Sequence, residues 1–251
     1  MKEGSISSIL CDHATAEGDK RIVTDVRIGL GYIGVALDND RLGLAAVLQE
    51  NFQTRCTALS KAGTLAGLKA SQLLKFLVDG TNPLEKALGL ATVNAIVCHG
   101  SSTHEEVEAI DTMHLTRQDN VVMVGFFGPL VGRIHATGAT LSIIEKNARR
   151  PGIKDAARQE EVLSDATVAI VTATSILNNT MEKILEHLDS ARHVTILGPS
   201  TPLYPEAFRD TPVNHLGGSV SLDNRKILQV ISEGGGTPAM RPYLKFINLF
   251  F

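Results

Sequence analysis

The sequence lacks tryptophan and is poor in aromatic residues, which make up only 4% of its 251 residues. A binding site built as an aromatic cage therefore has few candidate side chains. Cysteine is scarce as well: Cys11, Cys56 and Cys98 are odd in number and far apart. They do not form a disulfide framework of the kind found in secreted proteins, and we expect them to be reduced.

The sequence also lacks long apolar runs and a large excess of charge of either sign. No run reaches the roughly 20 apolar residues of a membrane-spanning helix, and the first residues do not read as a secretory signal. The net charge of −3 provides no basic surface for nucleic acid or for anionic lipid. With 43% hydrophobic residues the chain can build a proper core. We expect a cytoplasmic globular protein that binds neither nucleic acid nor membrane.

The segment RIGLGYIGVAL, residues 27–37, contains Gly29, Gly31 and Gly34 in the G-x-G-x-x-G spacing of a dinucleotide-binding loop. Such a loop must begin a helix, whose N-terminal N–H groups hold the pyrophosphate. Here the apolar run continues to Leu37 and then meets turn-forming residues, so no helix can follow. We therefore interpret the glycines as sites where another segment approaches a hairpin strand.

The first hundred residues predict a small α+β unit. A helix and a polar loop are expected over residues 1–22, and a β-hairpin over residues 22–48. A leucine stripe predicts one helix over residues 64–80. For the next helix, Asn82 is the expected cap and Pro83 the first residue.

The pattern changes after a polar stretch near residue 105. Apolar strands then alternate with helices, which is typical of a parallel sheet covered on both faces. One helix is expected to begin at Pro129 and another to run over residues 175–188. The predicted strands lie at residues 121–125, 140–145, 167–173, 193–198 and 213–218. We divide the chain into an α+β domain, residues 1–104, and a Rossmann-like α/β domain, residues 105–251.

The loop after the strand at residues 121–125 is at the place where such folds bind nucleotides. Glu145 ends the next strand, at the position of the acid that holds ribose hydroxyls. The loop glycines, Gly125 and Gly128, do not have the fingerprint spacing, because Phe126 and Phe127 separate them. The loop suits a ligand without a pyrophosphate, such as an adenosine-type molecule. The alternative is that Glu145 is an exposed acid at a strand end.

Two later strand ends also carry polar residues. Thr174 and Asn178 follow one strand, and the GPSTP loop, residues 198–202, follows another. Because ligands bind outside the carboxyl ends of parallel strands, these loops are candidate binding elements. Their alternative role is to cap helices, which Ser, Thr and Asn commonly do.

Metal-binding and hydrolase motifs are missing. The His and Cys residues include Cys98, His99 and His104, and also Cys11 and His13, but without C-x-x-C or H-E-x-x-H spacing. Neither a G-x-S-x-G elbow nor a P-loop is present. We therefore predict no direct metal ligands, and the catalytic residues stay unassigned.

The order of motifs resembles the putative heavy-metal-chelation family, whose members join an enolase-N-terminal-like domain to a Rossmann-like domain. The matching segments are GLATVNAI, VGFFGPLV, the strand end at Glu145, SDATVAIVTATSILNNTMEKIL, VTILGPSTPLYPEAF and LGGSVSLDN. The resemblance implies a site in the cleft between the domains, completed by Asn94. The predicted ligand-binding residues are Asn94, Gly125, Phe127, Gly128, Glu145, Thr174, Asn178, Gly198, Pro199, Ser200, Thr201 and Pro202.

Three functions stay open on this basis. The first is an enzyme for condensation or hydrolysis of a pterin-, flavin- or siderophore-like chelator, as the resemblance implies. The second is a binding protein for a metal chelate without turnover. The third is a methyltransferase-like protein that uses S-adenosylmethionine. The apolar tail, residues 243–251, is expected to dock on the chain itself or on a second subunit of a homodimer.

Overall fold

The computed structural model describes residues 4–48, 57–98, 108–146, 152–153 and 155–251. Within these ranges the chain forms a three-stranded antiparallel sheet and a six-stranded sheet that is mostly parallel. This confirms the expected α/β class, in which a small antiparallel unit precedes a parallel one.

The small sheet contains one strand more than the predicted hairpin. Its strands are β1 (Val23–Ile28), β2 (Tyr32–Leu37) and β3 (Leu42–Ala46), in that order. The second turn lies where expected and has Asp40 at a φ of 60°. The prediction of one hairpin was wrong because the chain also reverses at residues 29–31, inside the apparent fingerprint.

Helix α4 (Pro83–Val97) packs on the small sheet, and helix α1 (Ile6–Gly18) packs against α4. As predicted, Asn82 caps α4, since its Oδ1 accepts hydrogen bonds from two backbone N–H groups at 3.0 Å. The predicted continuous helix over residues 64–80 was wrong. It is replaced by α2 (Ala70–Leu74) and α3 (Phe76–Asp79), because Gly67 adopts a φ of +89° and the chain bends at Lys75.

The large sheet has the strand order β5-β4-β6-β7-β8-β9, and only β9 is antiparallel to its neighbour. All five strands predicted for this half are present. The strands are β4 (Asn120–Val124), β5 (Thr140–Ile144), β6 (Val168–Thr172), β7 (His193–Leu197), β8 (His215–Ser221) and β9 (Leu244–Phe250). The helices are α5 (Gly128–Ala136), α6 (Ala156–Ser164), α7 (Thr174–Leu177), α8 (Met181–Leu185), α9 (Asn224–Ser232) and α10 (Thr237–Met240).

The structure also tests two further predictions for this half, one on a long helix and one on the apolar tail. The helix expected over residues 175–188 is broken, because Asn178 accepts a hydrogen bond from Thr180 at 2.6 Å and Asn179 has a φ of 55°. The apolar tail docks on its own chain, which was one of the two expected arrangements. It forms β9, which pairs with β8 along its whole length.

The glycines of the apparent fingerprint lie against α9 and the residues that follow it. A Cβ atom on Gly29 would lie 2.1 Å from the carbonyl oxygen of Ile231, and one on Gly34 would lie 2.9 Å from Leu228. The interpretation of these glycines as sites of close approach is confirmed, and no helix follows them before β3. A single cluster of buried apolar residues extends from α1 and α4 to β6, β7 and β8.

Candidate functional site

The connections of the large sheet create a crevice between β4 and β6. The chain leaves β4 for β5 on one side, and then crosses to β6 on the other side of β4. Loops at such a topological switch point diverge, and ligands of open α/β sheets bind there. A cavity of about 1480 Å³ lies at this edge, and residues 31–32 and 46–48 of the small sheet form its opposite wall.

The structure brings most of the predicted ligand-binding residues to this cavity. Those that line it are Gly125, Phe127, Gly128, Glu145, Thr174, Asn178, Gly198, Pro199 and Ser200. Asn94, Thr201 and Pro202 do not line it, and they lie behind the wall as buried groups. The sequence therefore locates the cleft, while the role of each residue as a ligand contact stays a prediction.

The loop after β4 offers few N–H groups to a phosphate. Gly125 has a φ of +88°, and a Cβ there would lie 2.9 Å from Cγ2 of Thr172, so the loop lies tightly against the end of β6. At the start of α5, Pro129 has no N–H, and the N–H of Leu130 donates to Phe127 O at 2.9 Å. The Phe126 ring lies beside this helix end, with Cε1 at 3.3 Å from the position of a Cβ on Gly128.

Glu145 lies directly after β5 and is only 9% exposed. The alternative interpretation of Glu145 as an exposed acid at a strand end was therefore wrong. The chain packs closely there, because a Cβ on Gly152 would lie 2.9 Å from Cβ of Glu145. A carboxylate in this position can accept hydrogen bonds from hydroxyl or amine groups of a ligand.

The loop at residues 198–202 is fixed to the small sheet by buried hydrogen bonds. Ser200 Oγ accepts from the N–H of Ala46 at 2.8 Å, and Ser200 O accepts from the amide of Asn94 at 3.0 Å. The same amide donates to Leu44 O at 2.8 Å. Asn94 thus positions one wall of the cleft from behind.

The polar residues after β6 are largely engaged with each other. The hydroxyls of Thr172 and Thr174 are 3.0 Å apart, and Lys86 of α4 donates to Asn179 Oδ1 at 2.8 Å. The second contact joins α4 to the break between α7 and α8. These residues shape the cleft, and their hydroxyls remain close to its space.

Several residues of the cleft were missed by the sequence reasoning. The hydroxyls of Tyr32 and Thr237 are hydrogen-bonded at 2.7 Å. Burial raises the pKa of the Tyr32 phenol. Arg241 lies 5.0 Å from the centre of the Phe246 ring, and Asn248 of β9 lines the cleft floor. No local motif marks these positions. Asn248 reaches the cleft through the pairing of β9 with β8, and Tyr32 reaches it from β2 of the small sheet.

Cysteine and metal chemistry are restricted in the described residues. Burial raises the pKa of both Cys11 and Cys98 to about 12, so neither is a thiolate at neutral pH. In the part of the chain that the structure describes, no three His, Cys, Asp or Glu side chains are grouped to hold a metal. Cys56, His99 and His104 lie outside the described residues. The cleft therefore does not fit a bare metal ion held by described residues.

The described helices include none that is long and apolar enough to cross a bilayer. The fold and the cleft define a two-sheet α/β protein with a ligand crevice at the switch point of its parallel sheet. The chain belongs to the family described as putative heavy-metal chelation: residues 11–97 match one sequence profile of that description, and residues 108–250 match a second.

Similar proteins share the fold along nearly the whole chain. A protein of unknown function from Pyrococcus horikoshii, of the same family, has a TM-score of 0.84 at 20% identity, covering 98% of this chain and 100% of its own. One from Desulfitobacterium hafniense has a TM-score of 0.81 at 21% identity, covering 98% and 97%. An uncharacterised protein of Methanocaldococcus jannaschii is 21% identical over 217 residues, covering 82% of this chain and 81% of its own.

Proposed function

We propose that the protein binds an organic metal chelate, or the free chelator, in the cleft between residues 1–104 and 105–251. The observation that carries this proposal is the cavity of about 1480 Å³ at the switch point of the large sheet. It exceeds the roughly 300–1,000 Å³ of typical small-molecule pockets, so it has room for a ligand as large as a siderophore. The family description, putative heavy-metal chelation, supports the same class of ligand.

The cleft lining carries charges of both signs, with one more Lys or Arg than Glu. Lys146, Lys183, Arg241 and Lys245 line the cleft, as do Glu108, Glu145 and Glu160. Two of the acids lie in ion pairs with cations of the rim, since Glu160 is 2.9 Å from Lys183 and Glu108 is 2.9 Å from Arg241. Catecholate, hydroxamate and carboxylate chelators carry oxygen atoms that lysine and arginine bind well.

The described residues support binding of the ligand better than a chemical reaction on it. Among them, no Ser, Thr or Cys of the cleft wall is hydrogen-bonded to a general base, and Ser200 Oγ is occupied by Ala46. Condensation or hydrolysis of a pterin-, flavin- or siderophore-like chelator needs such a pair or a bound cofactor. The few N–H groups at the start of α5 argue against a cofactor anchored there by phosphate, because Pro129 has none and that of Leu130 donates to Phe127 O. S-adenosylmethionine, which has no phosphate, is a separate ligand to test.

A thermal-shift titration tests the proposal with defined probes. These are ferric desferrioxamine, ferric 2,3-dihydroxybenzoate, the free chelators, flavin mononucleotide, S-adenosylmethionine, and Fe(III) or Zn(II) salts. A chelate at 100 times its Kd stabilises the folded state by about 2.7 kcal/mol. For a chain of this size, that raises Tm by about 5–10 °C. We expect stabilisation by a chelate or chelator and not by the metal salts.

The site is checked with Glu145→Gln, which should reduce the stabilisation, and with Glu186→Gln as its matched control on the exposed surface. Stabilisation by the metal salts alone, to the same extent as by the chelates, would overturn the proposal. A response to S-adenosylmethionine alone would favour the methyltransferase-like alternative.

A further inference from the structure

One face of the large sheet carries a buried polar layer that the cleft does not explain. His193 and Thr195 of β7, and His215, Ser219 and Ser221 of β8, alternate onto this face. Each has a buried atom without a hydrogen-bond partner in the described structure: His193 Nε2, Thr195 Oγ1, His215 Nδ1, Ser219 Oγ and Ser221 Oγ. Buried polar atoms in proteins are nearly always paired with protein, water or a ligand.

Two of these atoms belong to neighbouring imidazole rings. His215 is opposite Thr195 in the strand register, and His193 lies two residues earlier on β7. The ring centres are 5.4 Å apart, and the rings are tilted by 49° rather than stacked. His193 is 8% exposed and His215 is fully buried. The two rings that carry the unpartnered nitrogens are therefore neighbours in a buried part of the sheet.

The surroundings of His215 are those of an oriented metal ligand. Its Nε2 lies 3.0 Å from Asn248 Oδ1. In the tautomer that donates Nε2–H to this oxygen, the lone pair is on Nδ1. Phe250 stacks on the ring at 4.4 Å and fixes its plane. Metal-binding histidines usually donate their second ring N–H to an oxygen in this way.

We propose that His193 Nε2 and His215 Nδ1 bind one monovalent soft metal ion, of the Cu(I) or Ag(I) class, beside the hydroxyl of Thr195. An imidazole–metal distance of about 2.0–2.1 Å requires the two nitrogens to lie roughly 4 Å apart for linear coordination. The two ring centres are 5.4 Å apart, which is close enough for one ion to contact a nitrogen of each ring. Imidazole is a good ligand for copper, and two neutral ligands suit a single positive charge.

The charges around the pair favour a monovalent ion over a divalent one. Arg192 and His114 are the cations that act on His193, and Arg192 is already paired with Asp119 at 2.9 Å. No Asp or Glu is among the described residues of β7, β8 or β9, so a divalent charge would be poorly neutralised.

The test is an anaerobic Cu(I) titration of the full chain at pH 5.5 against a chromophoric Cu(I) chelator. A Cys56→Ser background removes the one thiol outside the described residues. We expect one Cu(I) per chain, together with shifts of the two buried imidazole signals in histidine-selective NMR. His193→Gln and His215→Gln should each weaken binding by more than ten-fold. Asn248→Leu, which removes the orienting oxygen, should weaken it by about 10- to 100-fold.

The matched control is His135→Gln on the exposed surface of α5, which should leave the affinity unchanged. If the His193 or His215 variant fails to fold, the NMR signals of the chain with both histidines intact decide the question alone. The proposal is overturned if no Cu(I) binds, if binding leaves the two imidazole signals unmoved, or if a crystal soaked in Ag(I) shows only a water between the rings. A chelate that binds the cleft does not affect this outcome.

Discussion

The hydroxyl of Ser200 accepts a hydrogen bond from the backbone N–H of Ala46 at 2.8 Å, and this bond joins the two sheets at the wall of the cleft. Asn94 reinforces it from behind, because its amide donates to carbonyl oxygens of β3 and of the 198–202 loop. The small sheet and the 198–202 loop are therefore held in one arrangement before any ligand arrives.

Replacement of Asn94 should destabilise the whole chain. Asn94→Leu leaves the carbonyls of Leu44 and Ser200 buried without donors, and each such loss costs about 1–3 kcal/mol. We expect the free energy of unfolding in urea to fall by about 2–4 kcal/mol. Asn224→Leu is the control, since its amide bonds to Asp40 on the exposed surface, and it should cost less than about 0.5 kcal/mol. Equal losses for the two variants would contradict this role of Asn94.

Gly29 should tolerate no side chain. In Gly29→Ala the new methyl group would lie 2.1 Å from the carbonyl oxygen of Ile231, so β1 and α9 must separate. We expect a loss of about 2–4 kcal/mol in the same urea experiment. Gly31→Ala is the matched control, because its Cβ would lie 3.5 Å from the nearest atom, an ordinary contact. A Gly29→Ala variant as stable as Gly31→Ala would show that this packing is wrong.

Stability should fall as the pH falls from about 6.5 to 4. Burial lowers the pKa of His193 and of His215 to about 4 in the folded state, whereas unfolded histidine titrates near its ordinary value of about 6.5. The unfolded chain then binds more protons in this window, so each histidine makes stability rise with pH by at most about 1.4 kcal/mol per unit. The effect is absent above the window, where both states are neutral.

Urea unfolding at pH 7.5, 6.0 and 5.0 measures this dependence. The double variant His193→Gln/His215→Gln should show a clearly smaller loss between pH 6.0 and 5.0. If its loss equals that of the unchanged chain, the two histidines are not the source. The Asp119 carboxyl contributes little between pH 6.0 and 5.0, because the unfolded carboxyl binds a proton only as the pH approaches its ordinary pKa of about 3.9. Although burial raises its pKa, the hydrogen bond from Arg192 and those from Thr116 and Thr167 hold it well below the usual range.

Sequence reasoning succeeded where the information is local. The start of α4 follows from Asn82 and Pro83 alone, and the strands of the large sheet follow from short apolar runs. It failed where distant contacts decide. The break at Asn178–Thr180 and the bend at Lys75 interrupt segments whose apolar spacing is helical. Tyr32 and Asn248 reach the cleft only because strands far apart in the chain meet there.

The contact between Gly29 and Ile231 also has a consequence for how the chain acquires its structure during synthesis. The strands of the small sheet leave the ribosome early, but the helix that covers their glycine face is encoded about two hundred residues later. Until residues 224–232 emerge, that face of the sheet has no partner and the wall of the cleft is incomplete. The small sheet can therefore complete its packing only after α9 has been synthesised. We expect a chain truncated before α9 to be degraded rather than to fold to the native state.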